Sequence, residues 1–221
     1  MKKKLKKYNQ RFKIFGRKKG RKLKEDLKSN ILSKYLLNIP SDLTGKKIIL
    51  DIGSGNGENT LFLSKKYSNY LIIAIDIYIG GHINLCKELN NRQINNVKIF
   101  NQHILILFEK INFNNLINEV WILFPDPWPK KKHNKRRLIN DYFIKKISLF
   151  LEQNKKIYIV IDCITYFISI LKIFYNSKSF KWINDLPYEW DYRIKNISQT
   201  RYFEKSLRNN RKSILLIFQR I

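Results

Sequence analysis

Acid is scarce in this sequence. Against 44 Lys and Arg stand 17 Asp and Glu, a formal net charge of +27 over 221 residues. So deep a shortage, in a chain still 44% hydrophobic, describes a folded protein that faces a polyanion, with nucleic acid the first candidate. Coding bias toward Lys, Asn and Ile, visible in NNRQINNVKIFN and INFNNLIN, supplies part of that charge but does not explain where it clusters. Cysteine is equally sparse. Cys86 and Cys163 stand far apart with no CxxC and no nearby His pattern, which argues against a disulfide scaffold and against a metal site. Both read as half-buried thiols in a reducing cytosol, so a cytoplasmic protein is expected. No apolar run follows the basic N-terminus, so no secretory signal is expected. The longest apolar stretch, Ile157 to Phe174, contains Asp162 and Lys172. Charge at membrane depth is costly, so a buried strand followed by a helix is expected there, and no membrane partner.

What is present falls into two parts. Residues 2–24 carry thirteen Lys/Arg and no acid, with Tyr8, Phe12, Ile14 and Phe15 interleaved. Residues 1–24 read as a basic arm, either a solvated tail or one that orders on phosphates. Residues 25–221 read as one domain. Leu27, Ile31, Leu32, Tyr35 and Leu36 fall at helical spacing, and the proline of NIPSD is expected to end that helix. Thereafter short apolar runs alternate with helical stretches. Strands are expected at 47–53, 70–76, 97–100, 119–124 and 156–162, with helices at 58–66, 81–91, 104–110, about 136–153 and up to about 175. Continuous Ile/Val/Leu strands are buried on both faces, so the fold class is α/β with a doubly wound, mostly parallel sheet. SFKWI and SILLIFQRI have only a polar loop expected between them. They read as an antiparallel pair closing the sheet edge, which makes seven strands.

The first strand runs into LDIGSGNGEN, with Gly53, Gly55 and Gly57 directly before a helix. Glycine there lets backbone turn sharply and approach a ligand at the carboxyl end of a central strand. The spacing is GxGxG, not the dinucleotide GxGxxG, and Asp51 precedes the first glycine by two residues. That carboxylate suits a cofactor bearing an ammonium and a sulfonium better than a diphosphate, which favours S-adenosyl-L-methionine over NAD. The second strand ends in Asp76, nineteen residues after Gly57. An acid there either accepts from the ribose hydroxyls of an adenosine or caps the next turn.

FPDPWPKKKHNKRR, Phe124 to Arg137, sits at the end of the fourth strand and packs six Lys/Arg into its last eight residues. Together with GRKKGRKL, the glycine loop and TRYFEK near residue 200, it resembles the bacterial tRNA (guanine-N7-)-methyltransferase family, Rossmann-like class I enzymes that use S-adenosyl-L-methionine. The resemblance covers most of the chain. It implies methyl transfer to N7 of a variable-loop guanine, with tRNA as partner, no metal, and a monomer or weak homodimer. It makes Asp126 the central active-site residue and a cofactor contact, beside Asp51, Gly53, Gly55, Gly57 and Asp76. It carries substrate binding to Lys130, Asp162, Thr200, Arg201, Tyr202 and Phe203, and RNA contact to Lys132, His133, Asn134, Lys135, Arg136 and Arg137.

The residues agree with that chemistry. Guanine N7 has an in-plane lone pair and no proton, so its methylation needs orientation and no base. Asp126 could accept from the guanine Watson–Crick edge or steady the cationic product. Trp128 either stacks on a base or packs under the loop, and Pro125, Pro127 and Pro129 stiffen the segment. Two positions depart from the family pattern. His103 stands where an acid contacts the adenine end, and is either a cofactor ligand or a plain loop histidine. Phe203 stands in place of a glutamate, with Glu204 one further on. A catalytically weakened RNA-binding protein is therefore the alternative.

Overall fold

A computed structural model describes residues 26–111, 116–191 and 197–221; the basic arm at 1–24 lies outside them. In chain order the elements are α1 (Asp26–Tyr35), β1 (Ile48–Ile52), α2 (Glu58–Lys66), β2 (Leu71–Ile75), α3 (Ile79–Asn91), β3 (Val97–Phe100), α4 (Ile104–Lys110) and β4 (Ile117–Leu123). After a 3₁₀ turn (Lys131–Arg136) come α5 (Asp141–Phe150), β5 (Leu151–Ile161), α6 (Ile164–Asn176), β6 (Phe180–Trp182), a second 3₁₀ turn (Pro187–Trp190), α7 (Arg201–Arg208) and β7 (Ile214–Arg220).

The strands form one sheet in the order β3-β2-β1-β4-β5-β7-β6. Strands β1 to β5 run parallel, and β7 lies antiparallel to both β5 and β6. The doubly wound sheet with an antiparallel C-terminal pair is thus as expected. Its two faces follow from the two-residue period of a strand. Leu50, Ile73 and Ile122 join Leu107, Phe143 and Ile170 of α4, α5 and α6 in one core. Ile49, Ile72 and Trp121 join Leu32, Leu63, Leu89 and Phe203 of α1, α2, α3 and α7 in the other. Every residue of β1 and β2 is buried, which is why these runs show no polar alternation. Their parallel alignment brings the carboxyl ends of all five strands to one edge, where open α/β sheets hold ligands.

Several elements differ from expectation. Helix α1 ends at Tyr35, well before Pro40, because Leu36 leaves to bridge Ile99 on β3. Helix α3 starts at Ile79, two residues early. The helix expected over about 136–153 is only α5, since Asn140 caps it by accepting from Phe143 N at 3.0 Å and Leu151 already enters β5. The loop expected before the last strand contains α7, started by Thr200, whose hydroxyl accepts from Phe203 N at 3.3 Å. Only Phe203 and Ser206 of α7 are buried, so its helical period carries almost no apolar signal.

Candidate functional site

The glycine loop leaves β1 with Gly53, Gly55 and Gly57 at φ 80°, 55° and 87°, backbone that L side chains rarely adopt. Asp76 ties this loop to the next one: its Oδ2 accepts from Gly55 N at 2.9 Å and its Oδ1 from Tyr78 N at 2.9 Å. Asp51 is buried under the loop, accepting from Asn59 Nδ2 at 2.9 Å and from the Thr60 hydroxyl. Burial raises its pKa to about 6, against the lowering effect of those two bonds. A cavity of about 280 Å³ opens here, lined by Asp51, Ser54, Asn59, Thr200, Arg201 and Tyr202 among others.

A second cleft of about 640 Å³ continues past Asp76 to His103, Asp126, Trp128, Lys135 and Arg136. Tyr202 lines both. His103 caps α4, its Nδ1 accepting from Leu105 N at 3.3 Å, and burial lowers its pKa to about 4. The ring is therefore neutral, and this hydrogen bond assigns the remaining proton to Nε2. What it can offer a ligand is a donor, not the acceptor that a family acid would present.

The loop after β4 holds Phe124 and Trp128 at φ 50° and 43°, strained values for aromatic residues of the kind that cluster at working sites. Arg137 staples it from below. Its Nε donates to Pro127 O at 2.8 Å, its guanidinium reaches Thr165 Oγ1 at 3.3 Å, and it lies 4.7 Å over the Tyr166 ring. At 5% exposure Arg137 faces inward, unlike the phosphate-facing cation expected from the basic run, because the carbonyl of Pro127 needs a donor. Trp128 is half-buried, with Arg136 4.8 Å over its ring and His133 edge-on at 5.7 Å, so packing under the loop is the part of its two readings that is visible. Asp126 is exposed, lines this cleft and has no hydrogen-bond partner among the described residues. The surrounding walls still strip part of its hydration, and this burial first, then the charge of Asp76, raises its pKa.

Other expected residues scatter. Lys130, just before the 3₁₀ turn, is exposed, as are Lys132, Asn134 and Lys135 on it, while His133 is half-buried there. Thr200, Arg201 and Tyr202 do meet the cleft, but Phe203 turns into the core as the apolar face of α7 requires, and Glu204 pairs outward with Arg208 at 3.8 Å. Asp162 sits at the end of β5 in an ion pair of 2.9 Å with Arg211 and lines neither cavity. Two supports went unnoticed in the sequence. A Cβ on Gly81 would collide with the Gly55 carbonyl, so this glycine lets α3 press against the loop. One residue on, buried His82 reaches Ser54 Oγ at 3.4 Å. The doubled glycine at the start of α3 was the available signal. Among the described residues no cluster of His, Cys, Asp and Glu is placed to hold a metal ion, and no helix is long and apolar enough to cross a membrane.

Sheet order, glycine loop and strand-end acids define a Rossmann-like methyltransferase fold. A crystallised rRNA methylase from Streptococcus thermophilus shares it, with a TM-score of 0.52 at 16% identity over 91% of this chain and 99% of that one. The family model described as "Putative methyltransferase" matches residues 45–216. A tRNA (guanine-N(7)-)-methyltransferase of Bartonella henselae is 30% identical over 93% of this chain and 94% of its own. The chain belongs to that family of methyltransferases. A bifunctional methyltransferase of Rickettsia conorii is 29% identical over 94% of this chain, which spans only 40% of that longer protein.

Proposed function

We propose that residues 25–221 form one catalytic domain that transfers a methyl group from S-adenosyl-L-methionine to N7 of a guanine in the tRNA variable loop, in the cytoplasm. The cavities suit the cofactor on their own chemistry: the Oε1 of Glu58 and the Oδ1 of Asn59 are buried acceptors without hydrogen-bond partners, in a cavity floored by the Asp51 carboxylate. Asp51, the three glycines, Asp76 and His103 would hold it, and bound there it supplies an electrophilic methyl on a sulfonium.

The protein's part is placement. N7 brings its own lone pair, so Asp126 takes no proton; its carboxylate accepts from the guanine edge and holds N7 in line. Tyr202, between the cavities with Phe124 6.4 Å away and nearly parallel, offers an aromatic wall for the base. Lys130, Lys132 and Lys135 face the backbone that delivers it.

The observation that carries this reading is the unpartnered Asp126 carboxylate, held by a strained and stapled loop over the same cleft as the glycine loop. The test is nucleoside analysis of unmodified tRNA incubated with the protein and cofactor. 7-Methylguanosine should appear at one variable-loop position. Binding of tRNA and cofactor without any 7-methylguanosine would overturn the reading in favour of the RNA-binding alternative.

A further inference from the structure

A second dense group of cations lies on α7 and the turn after it. Residues 201–212 hold Arg201, Lys205, Arg208, Arg211 and Lys212 against one acid, Glu204, and all five cations are exposed. Arg201, Lys205 and Arg208 follow at i, i+4 and i+7, so they share one face of the helix, while Phe203 and Ser206 bury the opposite one. Two ion pairs mark the course of this helix over the sheet. At its start Arg201 Nε lies 3.0 Å from Glu58 Oε1 at the head of α2, without hydrogen-bond alignment. Beyond its end Arg211 lies 2.9 Å from Asp162 at the end of β5. Strand β4 stands between β1 and β5, and Tyr202 faces Phe124 just after β4. Helix α7 therefore crosses the carboxyl edge of the sheet beside the loop that carries Asp126.

We propose that the outward face of α7 is a second RNA-binding surface, on which Lys205, Arg208 and Lys212 neutralise backbone phosphates of the strand whose guanine enters the cleft. Arg201 and Arg211 are turned to Glu58 and Asp162 and place the helix. Lys205 already lines the smaller cavity, and Arg208 stands about 4.5 Å farther along the helix axis, so the surface leads outward from the cleft. Glu204 does little to hold Arg208 back. Their side chains are 59% and 81% exposed at 3.8 Å, and ion pairs so open to water contribute little. Asp162, given to the substrate by family resemblance, is on this geometry a positioning residue that acts through Arg211. The 3₁₀ turn holds the RNA from the β4 side and α7 holds it from the other. The inference rests on the RNA partner proposed above and not on which base atom is methylated.

Filter binding of unmodified tRNA to the full chain across a salt series tests this surface. Arg208→Gln and Lys212→Gln should each flatten the dependence of log affinity on log salt by about 0.7–0.9, and the double variant by about 1.4–1.8. Arg208→Lys should keep the wild-type slope, because a phosphate can take a point charge in place of the fork. Lys181 supplies the control. It is exposed on β6 opposite Gln219, at the other end of β7 from Ile214, which pairs with Ile161 at the carboxyl end of β5. Lys181→Gln removes the same charge and should leave the slope unchanged. Wild-type slopes in Arg208→Gln and Lys212→Gln, with Lys132→Gln still lowering it, would overturn the inference and leave the RNA partner standing. A change in Lys181→Gln equal to theirs, or a loss that Arg208→Lys fails to recover, would overturn it as well. If no variant on either wall altered the slope, the RNA partner and this inference would fall together.

Discussion

The cleft has two walls built in opposite ways. The β4 wall, Phe124 to Arg137, is held from inside: a buried guanidinium fixes Pro127, three prolines limit the backbone, and two aromatic residues are kept at positive φ. The α7 wall, Thr200 to Arg208, is held by three buried side chains, Thr200, Phe203 and Ser206, and by ion pairs at the surface. The first is suited to aim one carboxylate. The second is suited to take its final position from what it binds, because exposed ion pairs exchange readily for ligand contacts.

Removing the aimed group tests the first wall most sharply. Asp126→Ala should reduce methyl transfer by at least about 1000-fold, as loss of a placed polar group in a transition-state site does, with tRNA and S-adenosylhomocysteine affinities nearly intact. Single-turnover rates with parallel binding curves would show this. Lost tRNA affinity with normal turnover at saturation would make Asp126 a binding residue instead.

The anchors come next. Phe203→Ala removes the main apolar hold on α7 and should cost about 3–5 kcal/mol in urea denaturation. Arg137→Ala leaves the Pro127 carbonyl without its charged donor and should cost about 2–3 kcal/mol, with a loss of turnover as the PDPW loop relaxes. If Arg137→Ala were as stable as wild type and only salt-sensitive in RNA binding, the stapled character of the β4 wall would be wrong.

Between the walls, Asp51 gives the cleft a pH signature. Its folded pKa of about 6 exceeds the ordinary 3.8 because of burial. Between those values the folded chain holds a proton that the unfolded chain has lost, so this group's contribution falls as pH rises and levels off above about 6. His82 and His103, both lowered to about 4 by burial, act the other way, their contribution being complete above about 6.5 and lost as pH falls toward 4. Asp51→Asn isolates the first effect. Relative to wild type, the variant should gain roughly 2–3 kcal/mol at pH 7 over its value near pH 4. A difference independent of pH would mean that Asp51 is not destabilised by its site.

The two walls also differ in how far the sequence revealed them. The β4 wall was legible because its signals are local: prolines and basic run lie within fourteen residues that directly follow the strand. Even so, one member was misplaced, since in a run of six cations nothing marks Arg137 as the one that turns inward; the carbonyl it serves is ten residues away and its ring partner, Tyr166, farther still. The sheet was equally legible, as strands buried on both faces announce themselves. Helix α7 was missed because two buried residues in eight make no periodic pattern and Thr200 caps a helix without a proline or capping box. The Glu58–Arg201 pair was beyond sequence altogether, its members 143 positions apart and joined only by the sheet order.

The smallest effect separates inward from outward cations. Lys132 is exposed on the 3₁₀ turn, whereas Arg137 is buried beneath it. A cation that neutralises a phosphate releases counterions, so its removal flattens the dependence of log affinity on log salt. Lys132→Gln should reduce that slope by about 0.7–0.9 and weaken all tRNAs alike, since phosphate contacts carry no base information. Arg137→Gln, which removes an inward charge and the bond to Pro127, should leave the slope unchanged and lower turnover. Filter binding from low to high salt with two unrelated tRNAs measures both. Equal slope changes in the two variants would place Arg137 on the RNA after all, and no change in either would return the basic turn to an ordinary solvated surface.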